Sequence, residues 1–209
     1  MPERKPRADA MRNREAVLAA ADRLFAQCDR PEQVTMADIA AEAGVGKATL
    51  FRGFTDRTGL IRALYEARLA SVREAVMDGP SPLGPATEPG ERAIALLDAV
   101  LCFKLDHRHL SLALESAGSD SPYGAEHYGW WHATLRDILE QLPGFSGADF
   151  AAHALLAAVR ADLVDYLTDR HDMAREQLRA ELAAFATRTL LHHQEGRRVR
   201  PGGDTQSEQ

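Results

Sequence analysis

A chain of 209 residues with 45% hydrophobic and 27% charged side chains is long enough to bury a core, in one large domain or two small ones, without disulfide staples. Residues 1 to 60 carry 10 Lys+Arg against 9 Asp+Glu (net +1) and residues 61 to 209 carry 15 against 22 (net -7), summing to the -6 of the chain. The acidic body disfavours indiscriminate adhesion to nucleic acid, whereas a basic arm of Arg4, Lys5, Arg7, Arg12 and Arg14 can still meet phosphates locally.

Alanine and leucine dominate the apolar set, β-branched residues are sparse, and the apolar positions recur with a period near 3.6, so an all-α protein of about nine helices is expected. The first helix is predicted from about Met11 to Cys28, with Val17, Ala21, Leu24 and Phe25 on one side and Asp29-Arg30-Pro31 as its stop. A short second helix follows Thr35 as N-cap and ends at Gly44. A third begins after Gly46. The fourth runs from Thr55-Asp56 to Met77 and is long enough to connect two units. Residues 78–90 hold Pro80, Pro82, Pro85 and Pro89 and read as a loop.

Helix five is expected over Glu91 to Leu105. Later helices are expected over Arg108 to Ala117, Pro122 to Leu142, Ala148 to Arg170 and Met173 to His193. Ser121-Pro122 reads as a cap, Ser146-x-x-Asp149 as a capping box, and Asp172 as the cap of the last helix. The polar stretch from Glu195 onward reads as a disordered tail. No run reaches the roughly 18 apolar residues of a membrane span, and Met1-Pro2-Glu3-Arg4-Lys5 lacks the apolar region of a signal peptide. A cytoplasmic chain with no membrane contact is therefore expected. Cys28 and Cys102 read as small buried hydrophobes.

The segment from Val34 to Phe54 describes two short helices around a tight turn. Ala40 is small enough for a close crossing, Gly44 tolerates positive φ, and Ile39, Leu50 and Phe54 face the first helix. The opposite face of the third helix offers Lys47, Ala48, Thr49, Phe51 and Arg52 to a major groove. Lys47 and Arg52 can donate to guanine, Ala48 can meet a thymine methyl, and Thr49 can bond to phosphate or base. Thr35 and Arg57, in the first turns of helices two and four, are placed for phosphate contacts.

The order Thr35-x-x-Asp38-Ile-Ala-x-x-Ala43-Gly-Val-x-x-x-Thr49-Leu-Phe-x-x-Phe54 closely resembles the N-terminal signature of the tetracycline-repressor (TetR) family of bacterial regulators. The resemblance covers about Met11 to Tyr65. Phe51 stands where the family usually has tyrosine, losing a hydroxyl that would reach a phosphate; Gly46 and Gly53 replace the family's common serine and histidine. The resemblance implies a transcriptional regulator, by default a repressor, that binds a double-stranded DNA operator. It also implies a homodimer through the last two helices and a small-molecule effector in the C-terminal helices. The expected division is a helix-turn-helix domain over residues 10–70, a ligand-binding and dimerisation domain over 71–195, and the tail over 196–209.

Helix seven aligns His127, Trp131, Leu135, Ile138 and Leu142. With Phe103 and His107 on helix five and Arg160 on helix eight, Tyr128 and Trp131 are candidate linings of an apolar effector pocket. Helix eight has two faces that want burial: Leu155, Leu156, Val159, Leu163 and Tyr166 toward the core, and Ala154, Ala157, Ala158, Ala161 and Val164 toward a partner helix.

His107-x-His109 is a poor metal pair, because residues two apart on a helix point about 200° apart, and no metal or other cofactor is expected. A hydrolase built from His107, Asp106 and Cys102 or Ser111 competes with the regulator reading, as does a helix-turn-helix protein that no longer reads DNA. Nucleophile elbow, phosphate loop and HExxH are all missing from the sequence, so no catalytic residue is assigned.

Overall fold

A computed structural model describes residues 4–27, 33–116, 123 and 126–195, which form ten α-helices and no strand among the described residues. The N-terminal half holds α1 (Arg4–Gln27), α2 (Met36–Glu42), α3 (Lys47–Gly53) and α4 (Arg57–Asp78). Beyond it lie α5 (Pro89–Asp106), α6 (Arg108–Ser116), α7 (Glu126–Leu139), α8 (Ala148–Ala157), α9 (Ala161–Arg170) and α10 (Arg175–Glu195). Cys28, the Ser121-Pro122 cap and the tail after Glu195 lie outside the described residues.

α1 begins seven residues before Met11, because Pro6 falls in its first turn, where a missing N–H costs nothing. Its stripe of Val17, Ala21 and Phe25 is buried. Asp56 opens α4 by accepting from the Gly59 N–H at 2.7 Å. Glu88 likewise accepts from Glu91 N at 3.0 Å, so Pro89, the last proline of the loop, is the first residue of α5. Arg68 of α4 bonds to Asp22 of α1, and Arg179 of α10 makes two 2.7 Å bonds to Asp98 of α5.

One apolar core runs without interruption from Val17 to Leu190. α4 joins its two parts: it packs against α1 on one side and α5 and α6 on the other, with Leu60, Ile61, Leu64, Tyr65 and Leu69 buried. α5 is the central element of the second half, packed against α7, α9 and α10.

The segment expected as one long eighth helix is two. Ala158, Val159 and Arg160 donate to carbonyls three residues back, which tightens and ends α8, and Arg160 turns extended (φ -62°, ψ 142°) to start α9. The new helix start is held by Glu115 of α6, whose Oε2 accepts from Ala161 N at 2.9 Å and places a carboxylate at the positive end of α9.

This break reverses the expected faces. Leu155, Leu156 and Val159 are buried as expected, but Ala161 and Val164 are buried too, and Leu163 and Tyr166 are exposed. Two predicted caps also move. Gly147 (φ 72°), not Ser146, precedes α8, and α10 starts three residues after Asp172, which itself takes a φ of 47°.

Candidate functional site

Two short helices in water do not hold themselves together; here three features fix them. Thr35 and Asp38 form a reciprocal capping box at the start of α2, with Asp38 N donating to Thr35 Oγ1 at 3.2 Å and Thr35 N donating to Asp38 Oδ2 at 3.0 Å. Thr35 Oγ1 also donates to Asp38 Oδ2 at 2.7 Å, and this bond first, then the one from Thr35 N, holds the Asp38 carboxyl below its ordinary range. Gly44 turns the chain at φ 67°, and Val45 N closes the turn on Ala40 O at 3.0 Å. Ile39, Ala40, Leu50 and Phe54 are buried against α1 and α4.

The opposite surface of α3 is open: Lys47, Ala48, Phe51 and Arg52 are exposed and Thr49 is half-buried. Arg52 folds along its own helix, with Nε donating to Ala48 O at 3.2 Å and Nη2 to Thr49 Oγ1 at 3.4 Å. Both bonds stay within the reading surface, so the guanidinium can exchange them for base edges without disturbing another element. Arg57 has a different environment. It is half-buried, donates to Val34 O at 3.3 Å and lies 5.6 Å above the Phe25 ring, tying the start of α4 to α1 and to the entry of α2.

Sequence reasoning placed Arg14 of α1 only in the basic arm and did not foresee its contact with α3. It donates to Gly53 O at 3.3 Å, stacks 4.6 Å over Phe54, and borders a surface cleft of about 340 Å³ between α1 and α3 that Thr49 and Arg52 also line.

Of the five residues expected to line an effector pocket, Tyr128, Trp131 and Arg160 share one cavity of about 20 Å³, together with Tyr65, Lys104 and His127. Phe103 and His107 are not on its wall. Phe103 packs edge-on against Tyr65 (4.9 Å) and His107 (4.8 Å), one layer behind. Arg160 is turned partly outward by a two-point bond to Asp162 at 3.0 and 2.7 Å.

The cavity contains a buried ion pair, Lys104 Nζ to Glu115 Oε1 at 2.6 Å. Burial holds the Lys104 pKa below its ordinary value, with Glu115 opposing that shift. His127 is pushed down to about 4, by burial first and then by the Lys104 ammonium. Burial raises Tyr65, and half-burial lowers His107. The signal for Lys104 was present in the sequence: it continues the apolar stripe of Leu97, Val100 and Leu101, where a charge needs a partner.

A rigid pair of short helices with one open face, joined through a long helix to a larger set of helices, defines a helix-turn-helix DNA-binding regulator. Residues 17–64 match the profile of the bacterial regulatory proteins of the tetR family. Uncharacterized HTH-type transcriptional regulators from two strains of Mycobacterium tuberculosis are 28% identical over 159 residues, covering 64% of this chain and 77% of theirs. The fold is shared with a protein from Rhodococcus sp. described as a TetR-family transcriptional regulator (TM-score 0.63, 20% identity, 86% of this chain and 98% of that one). It is shared also with a Clostridium perfringens protein described as a fatty acid metabolism regulator (TM-score 0.57, 17% identity, 83% and 97%). The chain is a DNA-binding transcriptional regulator whose helix-turn-helix segment, residues 17–64, is of the tetR-family type. No described helix is long and apolar enough to cross a membrane.

Proposed function

We propose that the protein is a homodimeric repressor that reads a two-fold symmetric operator with α3 and changes its DNA affinity when a small molecule enters the core around Tyr65, Tyr128 and Trp131. Residues 10–70 then form the DNA-binding domain and residues 71–195 the effector and dimerisation domain, with the boundary inside α4. The observation that carries the reading is the open face of α3 on a fully packed support. Lys47 and Arg52 supply the donors that guanine O6 and N7 accept, Ala48 faces a methyl group, and Thr49 and Phe51 fill the groove. Thr35 caps the start of α2, where the next backbone N–H groups, those of Met36 and Ala37, address a phosphate. Arg57 adds positive charge beside that phosphate while bracing α4.

α4 supports coupling between the two sites, because one rigid helix carries Arg57 at the DNA-reading end and Tyr65 at the cavity. The cavity supplies the Lys104–Glu115 ion pair, the Arg160 guanidinium, an imidazole and phenols around an apolar wall, two cations against one carboxylate. That chemistry suits an apolar molecule with a carbonyl or carboxylate better than a cation. Proteins of the same fold described as a fatty acid metabolism regulator and a gamma-butyrolactone receptor point the same way.

α10 supports the dimer. It buries Leu178, Leu182, Ala186 and Leu190 at every fourth position toward its own chain, and leaves Ala180, Ala184, Thr187 and Leu191 on the far side. Phe185 and Leu191, with Leu163 and Tyr166 of α9, are large apolar side chains left exposed. A mobility-shift titration on the DNA upstream of the protein's own reading frame tests the proposal: a saturable, sequence-dependent shift is expected. Equal affinity for that DNA and for random DNA would overturn it.

A further inference from the structure

Beyond the DNA face and the effector cavity, α7 and α8 bring together three side chains, His132, Asp149 and His153, that neither function uses. His132 lies one helical turn after Tyr128 on α7, and His153 one turn after Asp149 on α8, so each helix presents an i, i+4 pair to the other. One ring nitrogen of His132, one of His153 and a carboxylate oxygen of Asp149 all lie within 4.8 Å of one another. His132 Nε2 is 3.4 Å from Asp149 Oδ1. Two donors on a tetrahedral zinc, each at about 2.0–2.2 Å, stand roughly 3.3 Å apart, so this pair already has the separation a shared ion requires. The two imidazoles stack with centroids 3.8 Å apart.

We propose that His132, Asp149 and His153 form a binding site for a divalent transition-metal ion of the zinc type. Two imidazole nitrogens and one carboxylate suit zinc, nickel, cobalt or copper and do not suit magnesium or calcium, which take all-oxygen shells. The His132 side chain is 13% exposed and that of Asp149 71%. An ion therefore enters from the Asp149 side, and a water completes its fourth position there.

Tyr128 is a positioning residue. Its Oη lies 2.5 Å from His153 Nδ1 and fixes the ring; with the proton on Nδ1 donating to the phenol oxygen, Nε2 keeps the lone pair that a metal takes. His132 Nε2 sits 3.2 Å from the Asp149 backbone carbonyl. Ligation through that nitrogen exchanges this hydrogen bond for the metal and leaves the proton on Nδ1, as neutral imidazole allows. The ion links α7 to α8 and, because Tyr128 also lines the effector cavity, braces one of its walls.

Tag-free protein, stripped with a chelator and dialysed, is titrated with Zn²⁺ by calorimetry and melted by circular dichroism with Zn²⁺ or Mg²⁺. One Zn²⁺ per chain and a raised melting temperature with Zn²⁺ alone are expected. His132→Ala and His153→Ala each lower the affinity at least tenfold while still melting cooperatively without metal. Tyr128→Phe lowers it roughly tenfold. His171→Ala, on a different part of the surface, leaves it unchanged. Wild-type protein that takes up no Zn²⁺ at micromolar concentration, or His132→Ala and His153→Ala that bind as tightly as wild type, overturns the site. A Co²⁺ absorption titration gives an independent reading of the same variants.

Discussion

Arg52 and Arg57 carry the same charge five residues apart, yet their surroundings assign them different tasks. Arg52 bonds only to its own helix, so Arg52→Ala should leave the melting temperature unchanged, weaken specific DNA binding by about 1–3 kcal/mol and relax base preference. Arg57 joins the Val34 carbonyl and the Phe25 ring, so Arg57→Ala should lower thermal stability as well as affinity for every DNA sequence. Parallel melting curves and titrations on cognate and random DNA separate the two; equal losses on both DNAs for Arg52→Ala would refute its role in reading bases. His127 gives a pH signature. Its folded pKa, about 4, lies below the ordinary 6.5, so the unfolded chain binds a proton that the folded one refuses. Its contribution to stability is complete above about pH 6.5 and is lost as the pH falls toward 4. The melting temperature should drop across that window, and His127→Phe should flatten the drop.

At the level of helices and their joints, the ion pair that organises α5, α6 and α9 makes a sharp prediction. Lys104→Met leaves the Glu115 carboxylate buried without its counter-charge and should cost about 3–5 kcal/mol. Adding Glu115→Gln should recover much of that loss, because the amide oxygen still accepts from Ala161 N. Denaturant melts of the single and double variants check it. Thr35→Ala should cost about 0.5–2 kcal/mol by removing the capping box, read as a lower urea midpoint.

The helix-turn-helix was legible in the sequence because its determinants are local: a cap, a glycine turn and three apolar positions within twenty residues. The break between α8 and α9 was not. Ala157-Ala158-Val159-Arg160 is good helical sequence, and the chain interrupts it because Glu115, more than forty residues away, takes hold of Ala161 N. The His132, Asp149 and His153 cluster was hidden for the same reason, since it exists only once α7 lies on α8. Tyr128, Trp131 and Arg160 could be read as neighbours from aromatic bulk and polarity, but whether Phe103 sat on the cavity wall or behind it depended on the rotation of α5, which no periodicity fixes to a single side chain.

For the molecule as a whole, the reversed faces of α9 relocate the dimer test. Ala161 is buried in its own chain and Ala158 lies at the helix break, so substituting either probes folding before association. Ala184→Arg and Leu191→Arg, on the outward side of α10, should instead give folded monomers with weakened operator binding, since two half-sites add their contacts only through a dimer. Sedimentation decides the matter; wild-type monomers at micromolar concentration, or unchanged association in both variants, would remove the dimer from the proposal.

The cavity beside Tyr65 holds about 20 Å³, room for a single water, whereas ligand pockets for drug-sized molecules span about 300–1,000 Å³. An effector that uses it meets a closed door. Its apparent dissociation constant is the intrinsic one divided by the fraction of chains in which the side chains stand apart, so a chain open one time in a hundred weakens every effector by roughly a hundredfold. Entry then waits on the protein: at high effector concentration the observed binding rate levels off at the rate of opening. The concentration at which such a regulator responds is thus written partly in how tightly Trp131 and Tyr128 pack against their neighbours, and a change in that packing would retune the response without touching the DNA.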